Sequence, residues 1–117
     1  MRFFTLVEFD SPDQPGSGSN MDPTFLGILD SVREEANIPF HVNSGYRSES
    51  HNLSVGGKSD SSHRRGKAAD IEALSGNDKY VIVQAAIKKG IKRIGIGKSF
   101  VHLDTDSSLP FPVIWTY

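Results

Sequence analysis

The sequence predicts an α+β domain that combines an antiparallel sheet with two main helices. Three observations lead to this class. The first third of the chain holds one amphipathic helical pattern, and the second half holds another. Short segments rich in β-branched and aromatic residues outnumber these helices and do not alternate with them regularly. Because this order is not a βαβ series, we expect antiparallel strands.

The first helix is predicted from its start signal and from its apolar face. Asp22 precedes Pro23, which is typical of an N-cap followed by proline at the first helical position. Apolar residues then recur at spacings of three and four and share one helical face: Phe25, Ile28, Leu29, Val32 and Ala36. Pro39 ends the pattern, because proline interrupts the helical hydrogen bonds.

The second helix is expected at about residues 77–89. Ser75 or Asn77 is suited to cap its start, and Gly90 lies where a C-terminal glycine belongs. A short helix is also compatible with residues 49–55, within an otherwise polar segment.

Five segments have the composition of strands: residues 40–43, 67–73, 91–97, 100–104 and 113–117. Residues 3–9 indicate a further short strand or an extended arm. Residues 10–20 are rich in Ser, Gly, Pro and Asp, which is typical of a loop. Neither an internal repeat nor a linker is recognisable, so we expect residues 1–117 to form one domain.

Composition excludes several classes of protein. Hydrophobic residues make up 37% and charged residues 23%, which supplies a core and is not typical of a disordered chain. The formal net charge of -1 provides no basic field, so we expect no nucleic-acid or membrane partner. A monomer is our expectation for the oligomeric state. The chain has no cysteine, which excludes disulfides and cysteine-ligated zinc.

A histidine and an aspartate stand seven positions apart in the polar segment before the second helix. Ligand pairs on one helical face are three or four positions apart, so this pair is not helical. The spacing fits a loop that presents His63, turns at Gly66 and enters a strand on which Asp70 points back. A polar loop with an isolated histidine is the alternative interpretation.

A second polar group lies on the fourth of the predicted strands. Alternation places Phe100, His102 and Asp104 on one face of that strand. Burial of an imidazole and a carboxylate is costly unless they are paired or bind a ligand. Two interpretations stay open: His102 is a metal ligand, or it is a core histidine hydrogen-bonded to Asp104.

Two histidines and an aspartate suit a catalytic zinc site, which has three protein ligands and a position left for water. Such chemistry needs a proton acceptor, and Asp104 is the nearest candidate. It also benefits from an arginine that binds a substrate carboxylate or a developing oxyanion. Arg47 follows the first predicted strand and suits that role, although a solvated surface arginine is the alternative.

An iron oxygenase with two histidines and one carboxylate is another metal interpretation. In that class, one residue separates the first histidine from the carboxylate, within a barrel of many strands. Six residues separate His63 from Asp70 here, and two main helices are predicted. We therefore set the oxygenase interpretation aside.

The motifs become more specific when they are taken in order. They are SGYRS at residues 44–48, Asn52, VGG at 55–57, SHRRGKAAD at 62–70 and FVHLD at 100–104. In this order they resemble the signature of the zinc D-Ala-D-Ala carboxypeptidase family, whose fold is shared with the hedgehog signalling domain. The opening residues and the first helix also resemble the short phage-associated members of that family.

The resemblance implies a hedgehog-like or DD-peptidase-like fold with a zinc ion bound by His63, Asp70 and His102. It implies that Arg47 contacts the substrate or the transition state, and that Ser62 steadies the loop or touches the substrate. The implied reaction is hydrolysis of D-Ala-containing peptide bonds of peptidoglycan, as a carboxypeptidase or an endolysin-like endopeptidase. The partner would be a stem peptide or a D-Ala-D-Ala peptide.

One position departs from the family pattern. Some relatives carry the catalytic acid three residues before the last zinc ligand, where this chain has Ser99. Asp104 is therefore our prediction for the proton acceptor, on the grounds of strand geometry. The same departure leaves open a second function, a non-catalytic zinc-binding interaction domain on this fold.

The first ten residues bear on localisation. Glu8 and Asp10 interrupt the early apolar run, so a signal peptide is not predicted. The localisation stays open from the sequence; the resemblance to phage-associated members is compatible with a protein of the host cytoplasm that reaches the cell wall on lysis.

The remaining candidates have simpler interpretations. His41 and His51 have no partners at ligand spacing, so we expect surface or structural roles. Trp115 and Tyr117 are expected to pack in the core or at the sheet edge. The basic residues within 58–67 are expected to form a rim that attracts an anionic peptide or wall polymer.

Overall fold

The computed structural model describes all of residues 1–117. Its sheet has five strands. The strands are β1 (Val42–Ser44), β2 (Ala68–Glu72), β3 (Arg93–Ile96), β4 (Phe100–Asp104) and β5 (Val113–Thr116). They lie in the order β1-β2-β4-β3-β5. The predicted strand segments are confirmed, with ends that differ by a few residues.

The direction of the strands differs from the prediction at one edge. β2 pairs antiparallel with β1 and with β4, and β4 pairs antiparallel with β3. β5 runs parallel to β3, so the sheet is mixed. The chain reverses after β4, but β5 pairs with the strand beyond β4. Since β3 and β4 are antiparallel, β5 must then be parallel to β3.

Both predicted helices are confirmed, and a short third one lies between them. They are α1 (Pro23–Ala36), α2 (Glu49–Ser54) and α3 (Gly76–Lys88). Asp22 caps α1 by accepting from the Phe25 amide over 3.2 Å. Ser75 caps α3 by accepting from the Asp78 amide over 3.0 Å. No helix combines the length and the apolar character needed to cross a membrane.

The N-terminal segment is not the strand or extended arm that we predicted. Leu6–Phe9 forms a 3₁₀ helix, and Ser17–Asn20 forms another. The backbone amide of Thr5 donates to Glu8 Oε2 over 2.7 Å, which closes the first turn locally. Phe9 is fully buried and anchors this turn in the core. The prediction from composition was wrong, because local capping and one buried aromatic decide the conformation here.

The two faces of the sheet have different functions. Ile71 of β2 and Val101 and Leu103 of β4 are fully buried in the core, together with apolar residues of α1 and α3. Side chains alternate along a strand, so the residues between them point to the opposite face. Asp70 and His102 therefore lie on the face away from α1 and α3.

Candidate metal centre

The loop between α2 and β2 places His63 at the sheet. Three consecutive turn hydrogen bonds wind this loop tightly, and the last joins the Gly66 amide to the His63 carbonyl over 3.3 Å. Gly66 has a φ of 70°, and a Cβ there would lie 2.4 Å from the backbone oxygen of Asn20. Only glycine fits this turn. The His63 imidazole is 3% exposed, and its Nδ1 lies 2.8 Å from the Gly45 carbonyl oxygen.

Strand register brings the other two side chains together. Asp70 on β2 lies directly opposite His102 on β4. Directly opposed residues on antiparallel strands point to the same face, so their side chains meet. Asp70 Oδ1 lies 2.9 Å from His102 Nδ1. The same carboxylate oxygen lies 3.3 Å from His63 Nε2.

The three side chains offer ligand atoms that converge on one point. One atom from each of His63, Asp70 and His102 lies within 4.8 Å of the others, and all three residues are buried. The structure thus brings the predicted ligand residues into one cluster. Two imidazoles and a carboxylate are the donor set of catalytic zinc sites.

Hydrogen bonds of the ring nitrogens test whether this cluster fits a metal. The Gly45 carbonyl can only accept a hydrogen bond, so His63 Nδ1 must carry the ring proton. The lone pair of His63 Nε2 is then available to a metal. His102 Nε2 lies 2.6 Å from Asp104 Oδ2, so its Nδ1 is the atom that faces the cluster. Each ring is oriented by an acceptor on one nitrogen and points the other nitrogen at the centre, as metal-binding histidines do. The residues fit a zinc ion.

The charges of the cluster also suit a cation. Burial raises the pKa of Asp70, but the adjacent imidazoles of His102 and His63 outweigh it and hold that pKa well below its usual range. Burial lowers the pKa of His63. Burial also disfavours charge on His102, but the bonds to Asp104 and Asp70 dominate and raise its pKa. Asp70 is therefore an anion and His63 neutral at neutral pH, and any proton on the ring nitrogen of His102 that faces the cluster must leave when a metal binds.

Arg47 lies beside the cluster, as the sequence predicts. Its amide donates to the His63 carbonyl over 3.1 Å, and its Nε donates to Ser44 Oγ over 3.1 Å. One terminal nitrogen is 3.4 Å from Asp70 Oδ2, and the other is 3.4 Å from Asn52 Oδ1. The Arg47 side chain is 16% exposed and lines the cavity above the cluster, so it is not a solvated surface arginine.

The cluster opens into a cavity of about 700 Å³. Arg47 and Lys58 line one side, together with the glycine pair Gly56–Gly57. Phe100, Trp115 and Tyr117 line the other side and form what we call the aromatic wall. The cavity therefore presents both cationic and aromatic side chains to a ligand; Arg93, against Trp115, and Asp60 also belong to its lining.

Comparison with known proteins agrees with this geometry. The sequence model of the family described as Peptidase M15 matches residues 8–104. The chain belongs to the peptidase M15 family. This is the zinc D-Ala-D-Ala carboxypeptidase family that the motifs resembled, and its members depend on zinc. A search of the curated proteins finds no match.

The family is one of zinc-dependent metallopeptidases, and the buried cluster is the group of this chain that could bind the metal. The hedgehog-like fold class predicted for this M15 peptidase is confirmed as α+β, with the mixed sheet described above. The family also implies that the substrate is a peptide or peptidoglycan.

The position of Asp104 constrains its role in this peptidase. It is fully buried, and its Oδ2 accepts from His102. Its Oδ1 accepts from Arg93 Nε over 2.8 Å and from the Asp106 amide over 3.0 Å. The assignment of Asp104 as proton acceptor stays a prediction. Ser99 is exposed, and its carbonyl accepts from the Ala73 amide over 2.8 Å.

Ser62 and the two remaining histidines, His41 and His51, are not part of the metal cluster. Ser62 is 4% exposed and donates to Asp106 Oδ2 over 2.9 Å, which steadies the loop before His63. His41 is exposed, and His51 lies on α2 outside the metal cluster.

Sequence reasoning missed Arg93, Asp106 and the aromatic wall. Trp115 and Tyr117 do lie on or next to the edge strand, but they also line the cavity. Trp115 lies opposite Gly95 in the β3–β5 register, where a Cβ would be 2.7 Å from the indole. A glycine inside a strand signals the close approach of another group, and this was the available clue.

Proposed function

We propose that this M15 peptidase hydrolyses D-Ala-containing peptide bonds of peptidoglycan. The observation that carries the proposal is the juxtaposition of the buried cluster with Arg47 at the base of an open cavity. The substrate class is taken from the D-Ala-D-Ala carboxypeptidase family to which the chain belongs.

Arg47 would hold the negatively charged end of the substrate or the developing oxyanion. Its guanidinium has five N–H donors, and only three contacts at 3.1–3.4 Å engage them. Two of these contacts are long, so donors stay available to the cavity. A guanidinium fork matches a carboxylate better than any other side chain, which suits the free C-terminus of a D-Ala-D-Ala peptide.

The rest of the cavity supports an acidic peptide. Lys58 is exposed in the cavity lining and adds a second cation to Arg47, while the exposed Asp60 beside it leaves Arg47 as the main site for a free carboxylate. When bound, zinc supplies a Lewis acid that polarises the scissile carbonyl. The residues around it orient the peptide: Arg47 at the carboxylate, and the aromatic wall along its apolar portion.

The test is hydrolysis of defined muropeptides by purified zinc-loaded protein, with products identified by mass spectrometry. Loss of one D-alanine from a pentapeptide stem indicates a carboxypeptidase, and cleavage of a cross-linked dimer indicates an endopeptidase. His63→Ala is the control without the metal site. His41→Ala is the matched control, because His41 is exposed and lies outside the cluster.

The second candidate function is a non-catalytic zinc-binding domain. It is favoured by Ser99, which occupies the position of the catalytic acid in some relatives and is exposed on the β3–β4 turn. Tight zinc binding without turnover of any muropeptide would support this second function and contradict the first.

A further inference from the structure

Arg93 and Asp104 form a buried ion pair beneath the metal cluster. They lie opposite each other in the β3–β4 register. Arg93 Nε lies 2.8 Å from Asp104 Oδ1, and the two side chains are 12% and 0% exposed. Burial removes hydration from both charges, and this cost can offset their attraction, so the pair is not evidence of a gain in stability. The role of the pair therefore depends on which other groups the two side chains contact.

Asp104 connects this pair directly to one zinc ligand. Its Oδ2 lies 2.6 Å from His102 Nε2, and its Oδ1 accepts from both Arg93 and the Asp106 amide. Both oxygens are thus engaged, and the carboxylate has no exposed surface. Asp104 acts on the cluster through His102.

Arg93 is itself held in place on two other sides. Its Nη1 donates to the Pro110 carbonyl oxygen over 2.5 Å. Its guanidinium carbon lies 5.0 Å from the centroid of the Trp115 ring, which is within cation–π distance. Three strands and the segment before β5 therefore fix one guanidinium against one carboxylate.

We propose that Arg93 is a positioning residue for the metal centre. It fixes the Asp104 carboxylate so that the carboxylate accepts from His102 Nε2 and leaves Nδ1 to the metal. In this proposal Asp104 orients a zinc ligand through His102. The inference rests on the zinc site of the family and not on peptidoglycan as the substrate.

The physical argument concerns the freedom of the His102 ring. Without Arg93, the Asp104 carboxylate would keep only the Asp106 amide as a fixed donor apart from His102. The carboxylate would then be free to turn, and His102 would no longer be held in one orientation. Loss of an outer partner of a metal-binding histidine typically reduces metal affinity by about 10–100-fold.

The experiment measures the zinc dissociation constant by competition with a chromophoric chelator. We expect Arg93→Met to weaken zinc binding by about 10–100-fold. Lys92→Met is the matched control, because it removes the same charge from the exposed neighbouring position. We expect its zinc affinity to stay within about twofold of the wild type, since Lys92 has no contact with the cluster. Wild-type affinity in Arg93→Met would overturn the proposal.

A double-mutant cycle separates positioning from a purely structural role. If Arg93 acts through Asp104, adding Arg93→Met to Asp104→Asn weakens zinc binding no further. Independent, multiplying effects of the two changes would contradict the inference. Urea unfolding of the zinc-free proteins, measured in parallel, reports loss of stability separately from loss of affinity.

Arg93→Lys keeps the proposal testable if Arg93→Met does not fold. Lysine retains the charge but cannot bond Asp104 and Pro110 together with a planar fork. We expect the zinc affinity of Arg93→Lys to lie between that of the wild type and that of Arg93→Met. If Arg93→Met does not fold, we expect Arg93→Lys to bind zinc several-fold more weakly than the wild type. Unchanged affinity in Arg93→Lys would then refute the role. Because no step measures peptide hydrolysis, failure here is distinct from failure of the proposed function.

Discussion

Ser62 donates a hydrogen bond to Oδ2 of Asp106 over 2.9 Å, which joins the loop before His63 to the segment after β4. Arg65 Nε donates to the same oxygen over 2.7 Å. The other oxygen of Asp106 accepts from the amide and the hydroxyl of Ser108, over 3.1 and 2.6 Å. Asp106 thus holds the loop that carries a zinc ligand against a segment about forty residues away in sequence.

This cluster of bonds predicts an acid-sensitive contribution to stability. Burial raises the pKa of Asp106, but the bonds from Ser108 and Arg65 outweigh it and keep that pKa well below the usual range. The unfolded chain, with a pKa of about 3.9, therefore takes up the proton first as pH falls. The stabilising contribution is complete above the pKa of the unfolded chain. It is lost progressively as the pH falls from there toward the lower pKa of the folded protein.

Asp106→Asn is expected to lower the free energy of unfolding at neutral pH by about 1–3 kcal/mol, the range for lost charge-assisted hydrogen bonds. The difference from the wild type should begin to shrink as the pH is lowered toward about 3, because the wild type starts to lose its contribution below the pKa of the unfolded chain. Urea unfolding of zinc-free protein measures both quantities. Glu34→Gln, on an exposed ion pair, is the control. A difference that stays constant with pH would contradict the assignment to Asp106.

Gly66 is predicted to tolerate no side chain. Alanine there would adopt a left-handed conformation, which costs about 1–2 kcal/mol, and its Cβ would overlap the Asn20 carbonyl at 2.4 Å. We expect Gly66→Ala to lower the free energy of unfolding by more than about 2 kcal/mol. Gly90→Ala isolates the conformational cost, since Gly90 also has positive φ but nothing within 4 Å of a Cβ. Equal losses in the two variants would show that the contact with Asn20 is unimportant.

Elements with local signals were predictable from the sequence. The start of α1 follows from Asp22 and Pro23, whose capping contact spans three residues. The face of β4 follows from simple alternation, which puts His102 and Asp104 side by side. The edge strand was different, because its parallel direction depends on which strand it pairs with, and nothing local encodes that choice.

The candidate site was predictable to the same extent. The zinc ligands and Arg47 lie in recognisable motifs, and the structure brings them together. The roles of Arg93 and Asp106 were not predicted, because they arise from contacts between different strands and loops. A charged residue in a short strand indicates a partner only after the register is known.

The aromatic wall predicts an effect on substrate binding. Trp115 lies against His102, with ring centroids 5.3 Å apart, and is partly exposed to the cavity. Trp115→Ala removes apolar contact area that a peptide would bury, so we expect KM for the hydrolysed muropeptide to rise about tenfold, with a smaller change in kcat. Tyr80→Ala is the control, because Tyr80 is an exposed aromatic on α3 outside the cavity. An unchanged KM in Trp115→Ala would show that the wall does not contact this substrate.

Arg47 is expected to affect turnover more than metal binding. The nearest contact of its guanidinium with the cluster is over 3.4 Å to Asp70 Oδ2, the carboxylate oxygen that neither histidine contacts. We expect Arg47→Met to lower kcat/KM by about 10²–10³-fold while zinc affinity changes little, because a donor aimed at developing charge is lost. Arg47→Lys should recover only part of the activity, since an ammonium group does not reproduce the two-pronged contact with a carboxylate. A parallel loss of zinc affinity and activity in Arg47→Met would instead assign Arg47 to support of Asp70. Full activity in Arg47→Lys would show that charge alone is sufficient, and the carboxylate-binding geometry proposed for this side of the cavity would then be wrong.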